Sequence, residues 1–379
     1  MSYLKLLKGK IKTHPEEFRV EEVVDLKLEE QGEYSYYKLT KRNINTFLAL
    51  DLIEKYWKIS RDRIGFCGLK DKRAITIQYI SIKNGPEKDL TGSNFKLEYI
   101  GKGSKPLKLG DAKGNIFTIT LKNVNPERII KNLNKLKGIG FANYFGEQRF
   151  APDLYMKKPL VKYFLDKDYE GALKEYFTQH PGKKRILKKF WGNWEEFFKE
   201  AGHLSTIEKR VLITYIKKQN AEKVFKIFPK SLKLLFFFSY QSLLWNRILT
   251  NFIKKVTHHF CLPFIRKEKI CFYKELSPIL KNFKDFELPF ISSEVLNWDG
   301  PEIIKKEILK IIKEEKLEDV LEAEALGLKI FTSGTRKIMV FPEGMKIINY
   351  DCKVFTFRFF LPSGSYATVF LLNLLSFRD

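Results

Sequence analysis

Cysteine and histidine are scarce in this sequence, which limits metal and disulfide chemistry. The 379 residues include four cysteines and five histidines, and the cysteines form no C-x-x-C pair. We therefore expect reduced, mostly buried thiols in a cytoplasmic protein. These thiols are Cys67, Cys261, Cys271 and Cys352. His258, His259 and Cys261 could meet at a metal, but adjacent side chains point in different directions on most backbones. No metal site is predicted.

Long apolar runs and cofactor signatures are also missing. The richest run, LKLLFFFSYQSLLWNRIL, is interrupted by Ser239, Gln241 and Asn246, whereas a membrane span takes about 18 apolar residues or more. We expect a buried core helix there and no membrane segment. The start of the chain lacks the apolar region of a signal peptide. Walker A, Rossmann and zinc-deaminase motifs are not found, so the sequence predicts no site for their cofactors.

Positive charge is what the sequence has in excess. Lysine and arginine number 69 against 45 acidic residues, which gives a formal net charge of +24. This excess is larger than solubility requires and indicates a polyanionic partner, most simply a nucleic acid. Hydrophobic residues make up 44% of the chain, which is enough to build a folded core.

The first 150 residues combine strand and helix patterns. EFRVEEVVDLKL and AITIQYISI alternate with a period of two, which favours strands. NTFLALDLIEKYWKIS predicts a helix whose apolar face consists of Leu48, Leu52, Ile53 and Tyr56. A second helix is predicted after the N-cap Asn125, with Pro126 in its first turn and its end at Gly138.

Strand, helix and strand patterns follow one another along the whole chain. Helical patterns dominate from about residue 152 to 332. Strand patterns return from about Gly334 to Asp379. This order predicts an α+β protein in which one domain is interrupted by another.

Asp71 is an isolated acid in the basic stretch FCGLKDKRAITIQYISI. Lys70, Lys72 and Arg73 flank it, Arg63 lies just upstream, and a predicted strand follows. If these cations are close in space, they favour an ionised carboxylate, which can act as a nucleophile or a base. The residues leave open a plainer alternative, a polar turn with a solvated charge cluster.

Three further stretches carry aromatic rings or clustered cations. In GNIFTITLKNV, Asn115 and Phe117 either reach into a cleft, where the ring could stack on a base, or belong to an ordinary half-buried strand. In GFANYFGEQRF, aromatics precede Arg149, a combination that suits unstacked RNA bases and phosphates as well as a packed loop. PGKKRILKKF holds five cations, which form a solvated face or contact phosphates.

The order of these stretches resembles a known family. PEEFRVEE, GLKDKRAITIQ, GNIF, NYFGEQRF, YQSLLWNR and LPSGSYAT together resemble the TruD family of pseudouridine synthases, over nearly the whole chain. The resemblance implies an isomerase that converts uridine to pseudouridine in tRNA, at position 13, without a cofactor or a metal. It also implies a pseudouridine synthase core with a mixed, largely antiparallel sheet and helices, and an inserted helix-rich α+β TRUD domain. The core would comprise residues 1–151 and 333–379, and the insert residues 152–332.

The same resemblance implies roles for individual residues. Asp71 matches the family's catalytic aspartate, which would either attack C1′ of the ribose or remove the C2′ proton. Lys12 matches a lysine near the active site, and Asn115 and Phe117 match residues that line the target-base pocket. We expect a Phe117→Ala variant to lose turnover with folding intact. The predicted substrate-binding residues are Lys12, Phe18, Lys70, Gln78, Asn115, Phe117, Asn143, Phe145 and Arg149.

The expected partner is tRNA, and the expected state is a monomer. The alternative is a non-catalytic RNA-binding or RNA-folding protein on the same scaffold, which would use the same basic surface. An RNA glycosidase or nuclease is a third reading. Asp71 discriminates between the enzyme and the binding protein, because a protein that only binds RNA needs no carboxylate amid phosphate-binding cations. The third reading predicts free uracil or a cleaved strand.

Overall fold

Strands dominate one part of the chain and helices the other, and the structure divides into two units accordingly. The computed structural model describes residues 7, 10–180 and 182–378. We call the unit that contains Tyr3–Asn143 and Val340–Asp379 the sheet unit, and the unit that contains Tyr144–Met339 the helical unit. The domain boundaries expected from the sequence, at residues 151 and 333, stay a prediction.

Most strands of the described chain belong to the sheet unit. Numbered along the whole chain, they are β1 (Phe18–Val23), β2 (Tyr34–Arg42), β3 (Ile64–Phe66), β4 (Ile75–Lys83), β5 (Leu90–Thr91), β6 (Phe95–Gly103), β7 (Gly114–Lys122), β8 (Phe141–Ala142), β16 (Glu343–Tyr350) and β17 (Val354–Pro362). The helices of this unit are α1 (Thr46–Trp57), α2 (Pro126–Ile139) and, at the end of the chain, α12 (Ala367–Ser376).

The helical unit joins helices to short hairpins. Its helices are α3 (Leu160–Leu165), α4 (Tyr169–Thr178), α5 (Lys184–Lys189), α6 (Trp194–Glu200), α7 (Thr206–Lys218), α8 (Ala221–Phe225), α9 (Lys230–Val256), α10 (Pro278–Lys281) and α11 (Glu302–Glu315). Its strands are β9 (His259–Pro263), β10 (Lys269–Tyr273), β11 (Glu287–Pro289), β12 (Glu324–Ala325), β13 (Leu328–Lys329) and β14 (Thr335–Lys337), and β15 (Met339–Val340) follows.

One mixed sheet organises the sheet unit. Its strand order is β16-β17-β7-β1-β4-β2-β6-β5, and β3 adds to β4. The neighbours β1 and β4 run parallel, with Arg19 opposite Ile75. The other pairs of this sheet are antiparallel. The predicted α+β class and largely antiparallel sheet are confirmed.

The register places several polar side chains in rows on one face of the sheet. Across four strand pairs, Phe359 lies beside Phe117, Phe117 beside Val20, Val20 beside Thr76, and Thr76 beside Lys41. Because side chains two residues apart on a strand share a face, the next row contains Leu361, Asn115, Glu22, Gln78 and Leu39. We call this the inner face.

Helix α1 covers part of the inner face. Its buried residues include Ala49, Leu50 and Ile53, and they pack with buried residues of β2, β4 and β6. The predicted apolar face was wrong in part, because Leu48 and Tyr56 are 48% and 58% exposed. Apolar residues occur on almost every side of this helix, so periodicity alone does not identify the side that packs.

The other helices of the sheet unit correct two predictions. Helix α2 begins as expected, with Asn125 Oδ1 accepting the Arg128 N–H at 2.9 Å, but it continues past Gly138 to Ile139, with Gly140 as its C-cap. Gly140 has a φ of 70°, a left-handed conformation that glycine adopts readily. The last part of the chain is not only strands, since α12 follows β17. Its nearly continuous apolar sequence, ATVFLLNLLS, hides the helical period.

Helix α9 is the long buried helix of the helical unit. Its Trp245 indole donates to the Leu288 carbonyl at 3.0 Å. This is the apolar run that the sequence predicts as a core helix. Within the described ranges, no helix is long and apolar enough to cross a membrane.

The expectation of four reduced thiols was wrong for two of them. Cys261 and Cys271 lie opposite each other on β9 and β10 and form a disulfide. Cys67 is buried and Cys352 is exposed, and both are free thiols. Spacing in sequence gives no sign of the pairing, because the hairpin register brings the two residues together.

The residues that the sequence grouped as a possible metal cluster do not all meet. Among the described residues, ligand atoms of His259, Cys261 and Cys271 lie within 4.8 Å of one another, and the two sulfurs of this group are bonded. His258 instead faces Glu275, with 3.4 Å between Nδ1 and the carboxylate.

Candidate active site

Lys12 and Asp71 come together where two parallel strands begin. Lys12 precedes β1 and Asp71 precedes β4, so both lie at the same edge of the sheet. The Lys12 ammonium is 3.3 Å from Asp71 Oδ2, and the two side chains are 19% and 26% exposed. The same ammonium lies 3.8 Å from the centre of the Phe18 ring. The pair is therefore partly sheltered and still open to a ligand.

Hydrogen bonds hold the backbone around Lys12. Lys12 has a φ of 55°, which is unusual for a residue with a side chain and must be held by its surroundings. The carboxylate of Glu17 accepts the Thr13 N–H at 2.9 Å and pairs with Lys122. Burial opposes ionisation of Glu17, but hydrogen bonds from Lys122 and Thr13 keep its pKa below the ordinary value.

Two of the cations near Asp71 in sequence, Lys70 and Arg63, do not act as the sequence suggests. The Lys70 ammonium turns away to form a buried ion pair with Glu22, with side chains 7% and 0% exposed. Arg63 donates to the carbonyls of Lys83 and Asn84, at the far end of β4. A cation that does reach the Asp71 carboxylate is Lys12, 59 positions upstream of it in the chain.

Three side chains from the sheet and α1 hold the Gly68–Asp71 segment, which we call the aspartate loop. Thr46 Oγ1 accepts the Lys70 N–H at 3.0 Å and donates to Gln78 Oε1 at 3.0 Å. Gln78 Nε2 is 3.4 Å from the Gly68 carbonyl. Glu22 also accepts the Tyr79 N–H at 2.9 Å, which ties the loop's ion pair to β4.

Lys70 and Gln78 thus face the protein interior in this structure. Gln78 has no exposed surface, and its amide bonds Thr46 and the Gly68 carbonyl. Their predicted contact with the substrate stays a prediction.

Lys41 is a site residue that the sequence analysis missed. It is 1% exposed, and its ammonium donates to the carbonyl of Asp71 at 2.8 Å. Burial lowers the pKa of Lys41 to about 8, although the nearby Asp71 carboxylate acts in the opposite direction. Period-two alternation offers a signal, because Lys41 shares a face of β2 with the apolar Tyr37 and Leu39.

A row of aromatic rings lies on the inner face, beginning with the Phe18 ring that Lys12 contacts. Phe18 meets Phe117 edge to face, with 6.1 Å between ring centres. Phe117 stacks on Phe359 at 5.5 Å and is 6% exposed. Contacts therefore run without interruption from Asp71 through Lys12 and Phe18 to Phe117.

Two buried oxygen atoms on the inner face have no hydrogen-bond partner among the described residues. They are Oδ1 of Asn115 and Oγ1 of Thr76. A buried polar atom without a partner costs free energy, so such atoms often mark a place where a ligand or water binds.

The remaining predicted residues lie farther along the chain. Asn143, 4% exposed, is at the boundary of the sheet unit. Phe145 and Arg149 belong to the helical unit. The backbone N–H of Phe145 donates to Asn246 Oδ1 at 2.9 Å, and Arg149 Nε is 3.2 Å from Ser242 Oγ. The Arg149 guanidinium also lies over the Phe145 ring at 5.5 Å.

Comparison with known proteins connects this arrangement to one family. The model of the family "tRNA pseudouridine synthase D (TruD)" matches residues 2–275. The chain is 35% identical to "tRNA pseudouridine synthase D" of Aquifex aeolicus, with 96% of this chain and 97% of that protein covered. It is 34% identical to "Probable tRNA pseudouridine synthase D 2" of Methanocaldococcus jannaschii, with 96% and 90% covered.

A solved structure shares the fold. The crystal structure of the "Putative tRNA pseudouridine synthase D (TruD)" from Methanosarcina mazei matches with a TM-score of 0.68 and 22% identity, over 97% of this chain and 93% of that chain. Fold and family place the protein in the class of pseudouridine synthases, which are isomerases of RNA. Within that class, the chain belongs to the tRNA pseudouridine synthase D (TruD) family.

Proposed function

We propose that the protein converts uridine 13 of tRNA to pseudouridine and that Asp71 is the residue that acts on the ribose. The observation that carries the proposal is the ion pair of Asp71 with Lys12 at 3.3 Å. It links a partly exposed carboxylate, through Lys12, to the aromatic rings of Phe18 and Phe117. The names of the matched relatives support tRNA as the substrate class.

The reaction rearranges bonds within one nucleotide. The N1–C1′ bond breaks, the uracil turns, and a C5–C1′ bond forms. C5 loses its proton and N1 gains one, so no redox partner or group donor is required. The Asp71 carboxylate either attacks C1′ to form an ester or removes the C2′ proton to give a glycal.

The side chains around Asp71 can position the carboxylate, exclude water and hold the freed uracil. Lys12 attracts the carboxylate and fixes its position. Phe18 and Phe117 supply an apolar wall that keeps water from the reactive sugar. Asn115 Oδ1 is an acceptor without a protein partner among the described residues, and it can accept the N3–H of uracil.

The uridine has to leave its helix before it meets Asp71. Flipping a base out costs a few kcal/mol, and phosphate contacts from a protein with a net charge of +24 can offset it. We propose that residues 1–151 and 333–379 form the catalytic domain and that residues 152–332, with Arg149 and Phe145 just before them, add RNA contacts. The proposed enzyme is a cytoplasmic monomer.

Tritium release and chemical mapping test this function together. A tRNA transcript with tritium at uridine C5 should release tritium when the purified protein is added. Carbodiimide mapping of the product should then show a new pseudouridine at position 13. Free uracil, a cleaved strand or unmodified RNA would overturn the proposal, and a pseudouridine elsewhere in the tRNA would overturn the assignment to position 13.

A further inference from the structure

The aspartate loop is held by a buried lysine that has no role in the family resemblance described above. Lys41 is 1% exposed, and its ammonium lies against the backbone of the loop. It is 2.9 Å from the Ile44 carbonyl, 2.8 Å from the Asp71 carbonyl and 3.4 Å from the Lys70 carbonyl. Two of these three oxygens belong to the loop itself.

The donors and acceptors at this point match in number. A protonated lysine has three N–H donors and no acceptor, and three carbonyl oxygens surround it. Hydrogen bonds from a charged donor are stronger than neutral ones. The ammonium therefore joins the loop that carries Asp71 to the segment that begins α1.

The position of Lys41 in the sheet places it beside uncharged strand neighbours. Its neighbours on β4 and β6 are Thr76 and Phe95, which carry no charge. The charged groups that face it are Asp71 and Lys70 of the loop, and these are themselves paired with Lys12 and Glu22. Nothing charged from the sheet competes for the ammonium among the residues described.

We propose that Lys41 is a positioning residue, which holds the backbone of Asp71 so that its carboxylate meets the ribose in reactive geometry. The proposal rests on the proposed function, because it assigns Asp71 the chemical role. A displacement of a catalytic group by about 1 Å can cost about a hundredfold in rate. Losing the three hydrogen bonds should therefore lower turnover while substrate affinity changes little.

The hold of Lys41 on the aspartate loop should depend on pH. Burial lowers the pKa of Lys41 to about 8, so the ammonium loses a proton as pH rises through that value. A neutral amine has two N–H donors for three carbonyls, which weakens the hold on the loop. Arginine stays charged at this pH, so a Lys41→Arg variant should not show the same decline.

The test compares Lys41→Met with Lys38→Met. Lys38 lies on the same strand, and its ammonium is 3.7 Å from Glu98 at a half-exposed site. We expect Lys41→Met to lower kcat for tRNA about a hundredfold with KM within threefold, and Lys38→Met to keep the wild-type kcat. Equal kcat values for wild type and a folded Lys41→Met protein would overturn the proposal.

Two further readouts separate this proposal from the proposed function. Hydrogen exchange of the peptide that spans residues 66–74 should be at least tenfold faster in Lys41→Met and unchanged in Lys38→Met, whether or not the protein acts on tRNA. Unchanged exchange would overturn the positioning role. Wild-type protein that modifies no tRNA would instead overturn the proposed function.

The pH profile covers the case in which Lys41→Met does not fold. Between pH 7 and 9, wild-type kcat should fall as pH rises through about 8, and kcat of Lys41→Arg should not. Parallel profiles for the two proteins would overturn the proposal without any need for the methionine variant.

Discussion

Residues that are distant from Asp71 in sequence contact it in the structure. Lys12 contacts both the carboxylate and the Phe18 ring, while Lys41 holds the backbone behind it. An ion pair at a partly exposed site contributes little to stability, about 1 kcal/mol or less. Lys12 should therefore contribute more to catalysis than to the free energy of unfolding.

Replacing Lys12 by methionine tests this view. We expect a fall in kcat of about a hundredfold, because the carboxylate loses the group that orients it, with a melting temperature close to that of the wild type. The control is Lys113→Met, which breaks the exposed pair of Lys113 with Asp25 far from Asp71 in the sheet register. A Lys12→Met protein with wild-type kcat would show that the pair is dispensable.

The partners of Asp71 and the role of Lys41 could not be predicted from the sequence. The sequence identified Asp71 as unusual but assigned its charge environment to Lys70, Lys72, Arg73 and Arg63. Of these, Lys70 and Arg63 bind other groups in the structure. Neighbours in sequence reveal little about side-chain direction, and the parallel pairing that brings Lys12 to Asp71 is a tertiary feature. Lys41 was missed because a lysine in a strand is usually exposed.

At the level of elements, β1 supports the aspartate loop through a buried charge. Glu22 pairs with Lys70 and accepts the Tyr79 N–H. Removing one partner of a buried ion pair leaves an uncompensated charge and costs about 3–5 kcal/mol. The link between β1, β4 and the loop thus depends on both partners.

A Glu22→Gln variant should unfold at clearly lower denaturant concentration. We expect a loss of about 3 kcal/mol in unfolding free energy, measured by urea titration, because the Lys70 ammonium stays buried without a counter-charge. The double variant Glu22→Leu with Lys70→Met should recover much of the loss. Asp25→Asn, at an exposed ion pair, serves as the control. A Glu22→Gln midpoint equal to that of the control would contradict the account.

On strand β7, Phe117 packs against other rings and is also proposed to contact the substrate. The ring is 6% exposed and contacts Phe18 and Phe359. Removal of a buried phenylalanine costs about 3–5 kcal/mol. This argues against the expectation, drawn from the sequence, that Phe117→Ala leaves folding intact.

Comparison of Phe117→Leu with Phe117→Ala separates the two roles. Leucine keeps most of the apolar volume, so we expect Phe117→Leu to be more stable than Phe117→Ala in thermal unfolding, with reduced turnover because the flat ring is lost. Wild-type turnover in a folded Phe117→Leu protein would leave Phe117 a packing residue only.

The elements themselves were predictable to different degrees. Asn125 and Pro126 marked the start of α2 because capping chemistry is local. The exposed side of α1 and the helix α12 were not predictable, because nearly continuous apolar sequence has no visible period. The hairpin that joins Cys261 to Cys271 depends on register, which spacing does not reveal.

At the scale of the whole molecule, charge decides how RNA binds. A protein with a net charge of +24 should bind tRNA mainly through phosphates and release counterions when it does so. Affinity then falls steeply with salt, whichever residues make the contacts. The charge was visible in the composition, whereas the positions of the contacts were not.

Salt titration of tRNA binding measures this directly. For about six phosphate contacts, the affinity should fall about a thousandfold between about 50 and 200 mM salt, as followed by filter binding. A decrease of less than tenfold would mean that few phosphates are contacted and that base or shape contacts dominate.

The most direct test of the account is the effect of Asp71→Asn on catalysis and binding in parallel. Asparagine keeps the size of the side chain and removes the charge, and Asp62→Asn, at an exposed aspartate that bonds Ser60, is the matched control. We predict that Asp71→Asn binds tRNA with affinity close to that of the wild type and releases no tritium from C5-labelled uridine, while the control releases it at the wild-type rate. Tritium release by Asp71→Asn at a rate within tenfold of the wild type would contradict the account.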